Sequence, residues 1–167
     1  MEAEMQDNHA NEVVLEQIEK FQFRARFGGS GAEWVVDEPE PIGKNGGPSP
    51  EQLVTAGVAN CLSDSLMFAL SKFRQDPSPI RTVARARVGR NDANRLRILA
   101  IDVEIRLGKP AASLAHLERA LNQFENFCTV ASSISTAVPV NVTVYDSEGV
   151  RLKEDGDTCL VAPCADN

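Results

Sequence analysis

The sequence predicts an α/β fold, a sheet packed on helices, from three observations. Period-two alternation marks strands, most plainly at Phe21 to Phe27 and Leu96 to Leu107. A long segment from Ser49 to about Phe73 has the start signals and composition of a helix. The segments follow the order strand, strand, helix, strand, strand, helix, helix, strand, which suits one antiparallel-rich sheet packed on a long central helix. With 167 residues, 43% hydrophobic and 25% charged, the chain is expected to form one domain with a sizeable core. That domain is placed at residues 20–146, with 1–19 as an N-terminal extension and 147–167 as a tail.

Each element has its own signal. Val13, Val14, Leu15 and Ile18 suit either a short helix or a leading strand. Phe21, Phe23, Ala25 and Phe27 alternate with Gln22, Arg24 and Arg26, as on a half-buried strand. Gly28 to Gly31 turns the chain into a second strand from Glu33 to Asp37, and the glycines and prolines up to Gly47 make an irregular loop. Ser49-Pro50-Glu51-Gln52 combines a Ser cap, Pro at the first helical position, an acid in the first turn and Gln at the capping-box position. From Leu53 to Leu62 that helix is apolar or small on every side, so it is expected to be enclosed all round.

Two strands follow, Ile80 to Gly89 and Leu96 to Leu107, joined by a turn at Asn91 to Asn94. In the second, Leu99, Ile101, Val103, Ile105 and Leu107 form the apolar face. Pro110 is expected to open a helix with Leu114, Leu117, Leu121 and Phe124 on one stripe, which Cys128 continues. A shorter helix from Thr129 to Ala137 ends at Pro139, and Val140, Val142 and Val144 give a last strand.

Charge narrows the function. A net charge of −7 opposes nucleic-acid binding, which needs a clustered basic surface to replace counterions. Arg81, Arg85, Arg87, Arg90, Arg95 and Arg97 fall in two strands and their turn and read as a solvated sheet face. The chain begins Met1-Glu2-Ala3-Glu4-Met5, and no apolar run of signal-peptide or membrane length is seen after it, so a cytoplasmic location is expected, with no membrane partner. There thiols stay mostly reduced, and four cysteines read as core residues, redox catalysts or metal ligands.

Two cysteines sit in informative contexts. Cys61 follows Gly46-Gly47-Pro48-Ser49-Pro50-Glu51-Gln52-Leu53 on the long helix, and Cys128 begins Cys128-Thr129-Val130-Ala131-Ser132-Ser133. From residue type alone both would be inert core cysteines. Together, however, the two segments resemble the signature segments of the OsmC/Ohr family of thiol peroxidases, the osmotically inducible and organic-hydroperoxide-resistance proteins, over roughly residues 20–146. The resemblance implies an OsmC-like fold, an intertwined homodimer with sites at the subunit interface, and no dissociable cofactor or metal. It also implies a hydroperoxide substrate and a dithiol reductant.

The chemistry fits those roles. The thiolate is the form that attacks the O–O bond, and a free thiol titrates near about 8.5, so a nearby cation is needed. Attack leaves a sulfenic acid on Cys61, which a second thiol, Cys128, resolves as a disulfide. Cys128 lies at a helix start, where amide N–H groups favour the anion. The resemblance further implies an arginine that holds the thiolate and a glutamate that holds the arginine. Glu51 matches the glutamate, although plain complementation of the helix dipole explains an acid there as well. Ten residues of helix, about 15 Å, separate it from Cys61, so either the helix bends near Gly57 or Glu51 serves the Cys61 of a second subunit.

The chain departs from the family at the arginine, which Ohr-type members place just after a Gly-Gly pair. Here Phe27-Gly28-Gly29 is followed by Ser30, so Arg26 is the candidate carried forward, ahead of Arg24 and Lys44. A solvated strand edge explains Arg24 and Arg26 equally well. Asp64, near Cys61 on the helix, would oppose a thiolate unless it orients the cation. Cys159 and Cys164 lie outside the resemblance, and two ligands alone do not make a zinc site. Beside the peroxidase stand two other readings: a non-catalytic binding or stress-associated protein of the same fold, favoured by Asp64 and the displaced arginine, and a redox sensor.

Overall fold

The fold is described from a computed structural model covering residues 11–154. It is a mixed α and β structure with two sheets and one long helix, and it divides at Leu53/Val54 into two compact units.

The N-terminal unit is an antiparallel sheet of β1 (Val13–Glu19), β2 (Gln22–Phe27) and β3 (Glu33–Val36), with β2 in the centre. The open choice at Val13 to Ile18 thus falls to a strand, within the segment set apart as an extension. Lys20, at φ 45, and Phe21 make the tight turn into β2. Phe21 therefore lies outside the strand and is exposed, rather than sharing a face with Ala25, which is buried.

The loop after β3 is organised by Asp37. Its carboxylate accepts N–H groups of Glu38 (2.9 Å), Gly46 (3.0 Å) and Lys44 (3.1 Å) and the Gln22 side-chain amide (3.4 Å). At Gly47 an added Cβ would lie 1.9 Å from the Val35 carbonyl oxygen, so close backbone approach requires glycine there.

The helix start matches its signals. The Ser49 hydroxyl accepts from the Gln52 N–H at 3.3 Å, and the Gln52 side chain accepts from the Ser49 N–H at 2.9 Å, a complete capping box. Helix α1 (Pro50–Ser71) then runs without interruption through Gly57.

In the C-terminal unit, β4 (Arg81–Arg90), β5 (Leu96–Arg106), β6 (Val140–Tyr145) and β7 (Arg151–Glu154) form a sheet in that order. Strands β5 and β6 are parallel, and the outer pairs are antiparallel. The last strand lies within the segment set apart as a tail. Val58, Leu62, Leu66 and Leu70 of α1 pack in one core with Ile101, Val103, Ile105, Val142 and Val144 of the sheet. The other sheet face is polar: Arg87 pairs with Asp102 (2.9 Å) and Arg106 with Glu104 (2.7 Å), a solvated basic face as expected.

Three expectations need correction. The helix is not enclosed on every side within the chain. Val54, Gly57, Met67 and Phe68 are exposed, while the stripe through Thr55, Val58, Leu62, Ser65, Leu66, Ala69 and Leu70 is buried. By length and composition α1 is also long and apolar enough to cross a membrane, contrary to the expectation that no such run exists; its buried stripe makes it the core helix of the unit. Leu99 is 45% exposed because a bulge opposite Arg87 and Val88 shifts the register, which turns Ile98 toward the core instead.

The expected helix after Pro110 is broken into a 3-10 turn (Ala111–Ser113), α2 (Leu117–Leu121) and a second 3-10 turn (Phe124–Phe127). Leu114 is extended and His116 is left-handed at φ 58, which interrupts the helical hydrogen bonds. Its apolar stripe is nevertheless buried as expected, through Leu114, Leu117, Leu121, Phe124 and Cys128. Helix α3 (Thr129–Ile134) follows.

Candidate functional site

Cys61 and Cys128 meet inside the C-terminal unit. Cys61 is half-buried on α1, next to fully buried Leu62. Cys128 is fully buried at the N-cap of α3, directly after the Phe124–Phe127 turn. Its backbone N–H donates to the Glu125 carbonyl at 3.0 Å, and its sulfur accepts the Ala131 N–H at 3.3 Å. The Cys128 thiol lies close enough to Cys61 and to the buried Ser65 hydroxyl for both to act on its titration. Both cysteines are free thiols.

The electrostatics of Cys128 run opposite to the sequence expectation. Burial first and the neighbouring Cys61 second push its pKa up to about 12, with the Ala131 amide and Ser65 offsetting only part of the rise. A single-turn helix contributes one N–H, which does not outweigh removal from water. Cys128 therefore keeps its proton at neutral pH, which makes it a poor first nucleophile.

Asp64 is exposed and accepts the Asn60 side-chain amide at 2.9 Å, so its carboxylate has a neutral donor of its own on the helix surface.

The other candidates belong to the N-terminal unit. The Arg26 guanidinium lies 3.1 Å from Glu33 and 3.0 Å from Glu16, and these carboxylates, Glu33 first, hold its pKa above the usual value. Arg24 pairs with Glu33 at 2.9 Å, and Lys44 with Glu19. Arg24 and Arg26 sit on the central strand, not on an edge, which corrects the alternative explanation for them. Glu51 accepts the Ser49 hydroxyl at 2.9 Å. Among the described residues no cluster of three His, Cys, Asp or Glu is placed to hold a metal ion. Cys159 and Cys164 lie outside the described residues.

A sequence model of OsmC-like proteins matches residues 43–143, a span that holds Glu51, Cys61 and Cys128. The chain belongs to the OsmC-like family. No curated protein sequence matches it. Solved structures show the OsmC-like fold. One is a putative osmotic stress induced and detoxification response protein from Psychrobacter arcticus, with TM-score 0.69 and 17% identity, covering 86% of this chain and 100% of that one. Another is an OsmC-like protein from Mycoplasma pneumoniae, with TM-score 0.69 and 12% identity over 84% and 99%. A third is the organic hydroperoxide resistance protein OhrB of Bacillus subtilis, with TM-score 0.61 and 15% identity over 80% and 96%.

In this OsmC-like chain the structure brings together the two cysteines named from sequence, while Arg26 and Glu51 share the other unit. Two features escaped the sequence reading. Ser65, four residues after Cys61 on the same helix, was detectable by its i+4 spacing. The buried ion pair of Glu125 and Lys153 was not, because nothing in the alternation of β7 shows that a lysine faces the core.

Proposed function

We propose that this protein is a thiol-dependent peroxidase that reduces organic hydroperoxides in the cytoplasm as a homodimer. The observation that carries the reading is a half-buried Cys61 beside a fully buried Cys128 that keeps its proton. Family membership and structural likeness to organic hydroperoxide resistance proteins support it.

In the first step the Cys61 thiolate attacks one peroxide oxygen. The O–O bond breaks, Cys61 becomes a sulfenic acid, and the alkoxide leaves and takes up a proton as the alcohol. In the second the Cys128 sulfur attacks the Cys61 sulfur, water leaves, and a disulfide forms. A dithiol then reduces the disulfide and is itself oxidised to its own disulfide. Arg26 is the proposed cation that favours the Cys61 thiolate, held in place by carboxylates, with Glu51 among them.

Because α1 is continuous through Gly57, Glu51 and Cys61 of one helix stay about 15 Å apart, which favours Glu51 acting on the second subunit. The exposed apolar residues Val54, Met67 and Phe68 of α1, with Phe127 and Val130 beside Cys128, are the proposed dimer surface.

Hydroperoxide consumption with a dithiol supplied is the test. Wild type should turn over and Cys61→Ser should not. Equal consumption by the two proteins would refute the assignment. Disulfide formation without continued turnover would instead indicate a sensor.

A further inference from the structure

Behind the resolving cysteine lies a buried charge pair that the proposed reaction does not use. Lys153 of β7 is opposite Val144 in the sheet, so its side chain faces the core. Its ammonium lies 2.6 Å from Glu125, and both side chains are nine-tenths buried, at 7% and 8% exposure. Neither carboxylate oxygen of Glu125 makes a hydrogen bond to a described residue, so among those residues the ion pair alone balances this buried charge.

Glu125 is tied to Cys128 through its backbone. Its carbonyl accepts the Cys128 N–H at 3.0 Å and the Ser132 hydroxyl at 3.4 Å, so it holds the chain on both sides of the thiol. Phe124 and Cys128 of that chain are fully buried in the core, but the residues beside them border open space. A cavity of about 230 Å³ is lined by Glu125 and Asn126 on one side of Cys128 and by Ala131 and Ser132 on the other. Close packing holds Phe124 and Cys128, and the ion pair adds a directional anchor where the chain borders that space.

We propose that the Glu125–Lys153 ion pair positions Cys128 for disulfide closure with Cys61, holding the 124–132 segment to β7 beside the cavity. Both are positioning residues that act through Cys128. The proposal rests on the two cysteines working as a pair, and its test needs no peroxidase activity.

The test is equilibration of the full-length protein with glutathione buffers. Two protein thiols and one glutathione disulfide give the Cys61–Cys128 disulfide and two molecules of reduced glutathione, and mass spectrometry reads the fraction closed. Lys153→Met should lower the equilibrium constant by about tenfold or more. Because that variant leaves a buried carboxylate without a counter-charge, the deciding protein is Lys153→Met with Glu125→Leu, in which no charge is stranded and folding is expected to be retained. A purely structural pair would leave the constant of this double variant at the wild-type value, and that result would overturn the proposal. A constant still lowered about tenfold or more, in a protein that has recovered its thermal stability, bears it out. If wild type closes in glutathione but consumes no hydroperoxide, the peroxidase reading fails while this one stands. If wild type never closes, the positioning role fails with it.

Discussion

Cys128 lies beside the half-buried Cys61 but is itself fully buried, and that burial pushes its pKa up so that it keeps its proton at neutral pH. The two residues arrive from different elements, the middle of α1 and the cap of α3, yet they form one chemical unit. Both predicted reactivity and pH dependence follow from this asymmetry.

The Cys128 pKa is raised on folding, so the native state holds a proton that the unfolded chain releases first. Stability from this group is fully present below the unfolded value of about 9 and is lost as pH rises toward about 12. The contribution to the slope is at most about 1.4 kcal/mol per pH unit for one proton. Denaturant unfolding of wild type and Cys128→Ser between pH 8 and about 11 should show a steeper decline in wild type. Parallel curves would mean that Cys128 is not buried as described.

The exposed apolar residues of α1 predict a homodimer. Analytical ultracentrifugation at micromolar concentration should find a dimer, with an interface above about 2,000 Å² in total. Met67→Glu should convert it to monomer, because a charge placed in an apolar interface is costly to take out of water. A wild-type monomer, or a dimer indifferent to this change, would contradict the proposed surface.

Close backbone approach at Gly47 gives a stability prediction. A Cβ there would sit 1.9 Å from a carbonyl oxygen, an atom that cannot swing aside as a side chain does. Gly47→Ala should cost at least about 2 kcal/mol in urea unfolding, as overpacking against backbone does. Gly57→Ala, where an added Cβ meets nothing within 4 Å of its own chain, should leave a monomeric unit undisturbed. Any loss of dimer in that variant would place Gly57 in the interface.

If Glu51 works across a dimer, two defective chains should complement each other. Mixing Cys61→Ser with Glu51→Ala under conditions that exchange subunits should recover hydroperoxide turnover, since each mixed dimer regains one complete site. No recovery despite proven exchange would confine Glu51 to its own chain or to its capping contact with Ser49.

Local rules were readable in the sequence where a single residue type decides geometry. Ser49 and Gln52 announced their reciprocal cap, and Val140, Val142 and Val144 their buried face. The misses came where long-range pairing overrode the local pattern. Leu99 leaves the apolar face because the bulge beside Arg87 and Val88 changes its register, and only the partner strand carries that information. His116 and Leu114 interrupt a helix whose apolar stripe is intact, because the core needs the stripe buried and not the helix continuous. Family resemblance named Cys61 and Cys128, but the sign of the Cys128 shift depended on its burial, which sequence spacing does not report.

The central claim is that Cys61 and Cys128 are one redox couple. One equivalent of cumene hydroperoxide added to the reduced protein, followed by alkylation, proteolysis and mass spectrometry, tests it most directly. The account predicts a disulfide between Cys61 and Cys128 in wild type and a sulfenic or more oxidised Cys61 in Cys128→Ser. Retention of both thiols in wild type, with the peroxide unconsumed, would contradict it.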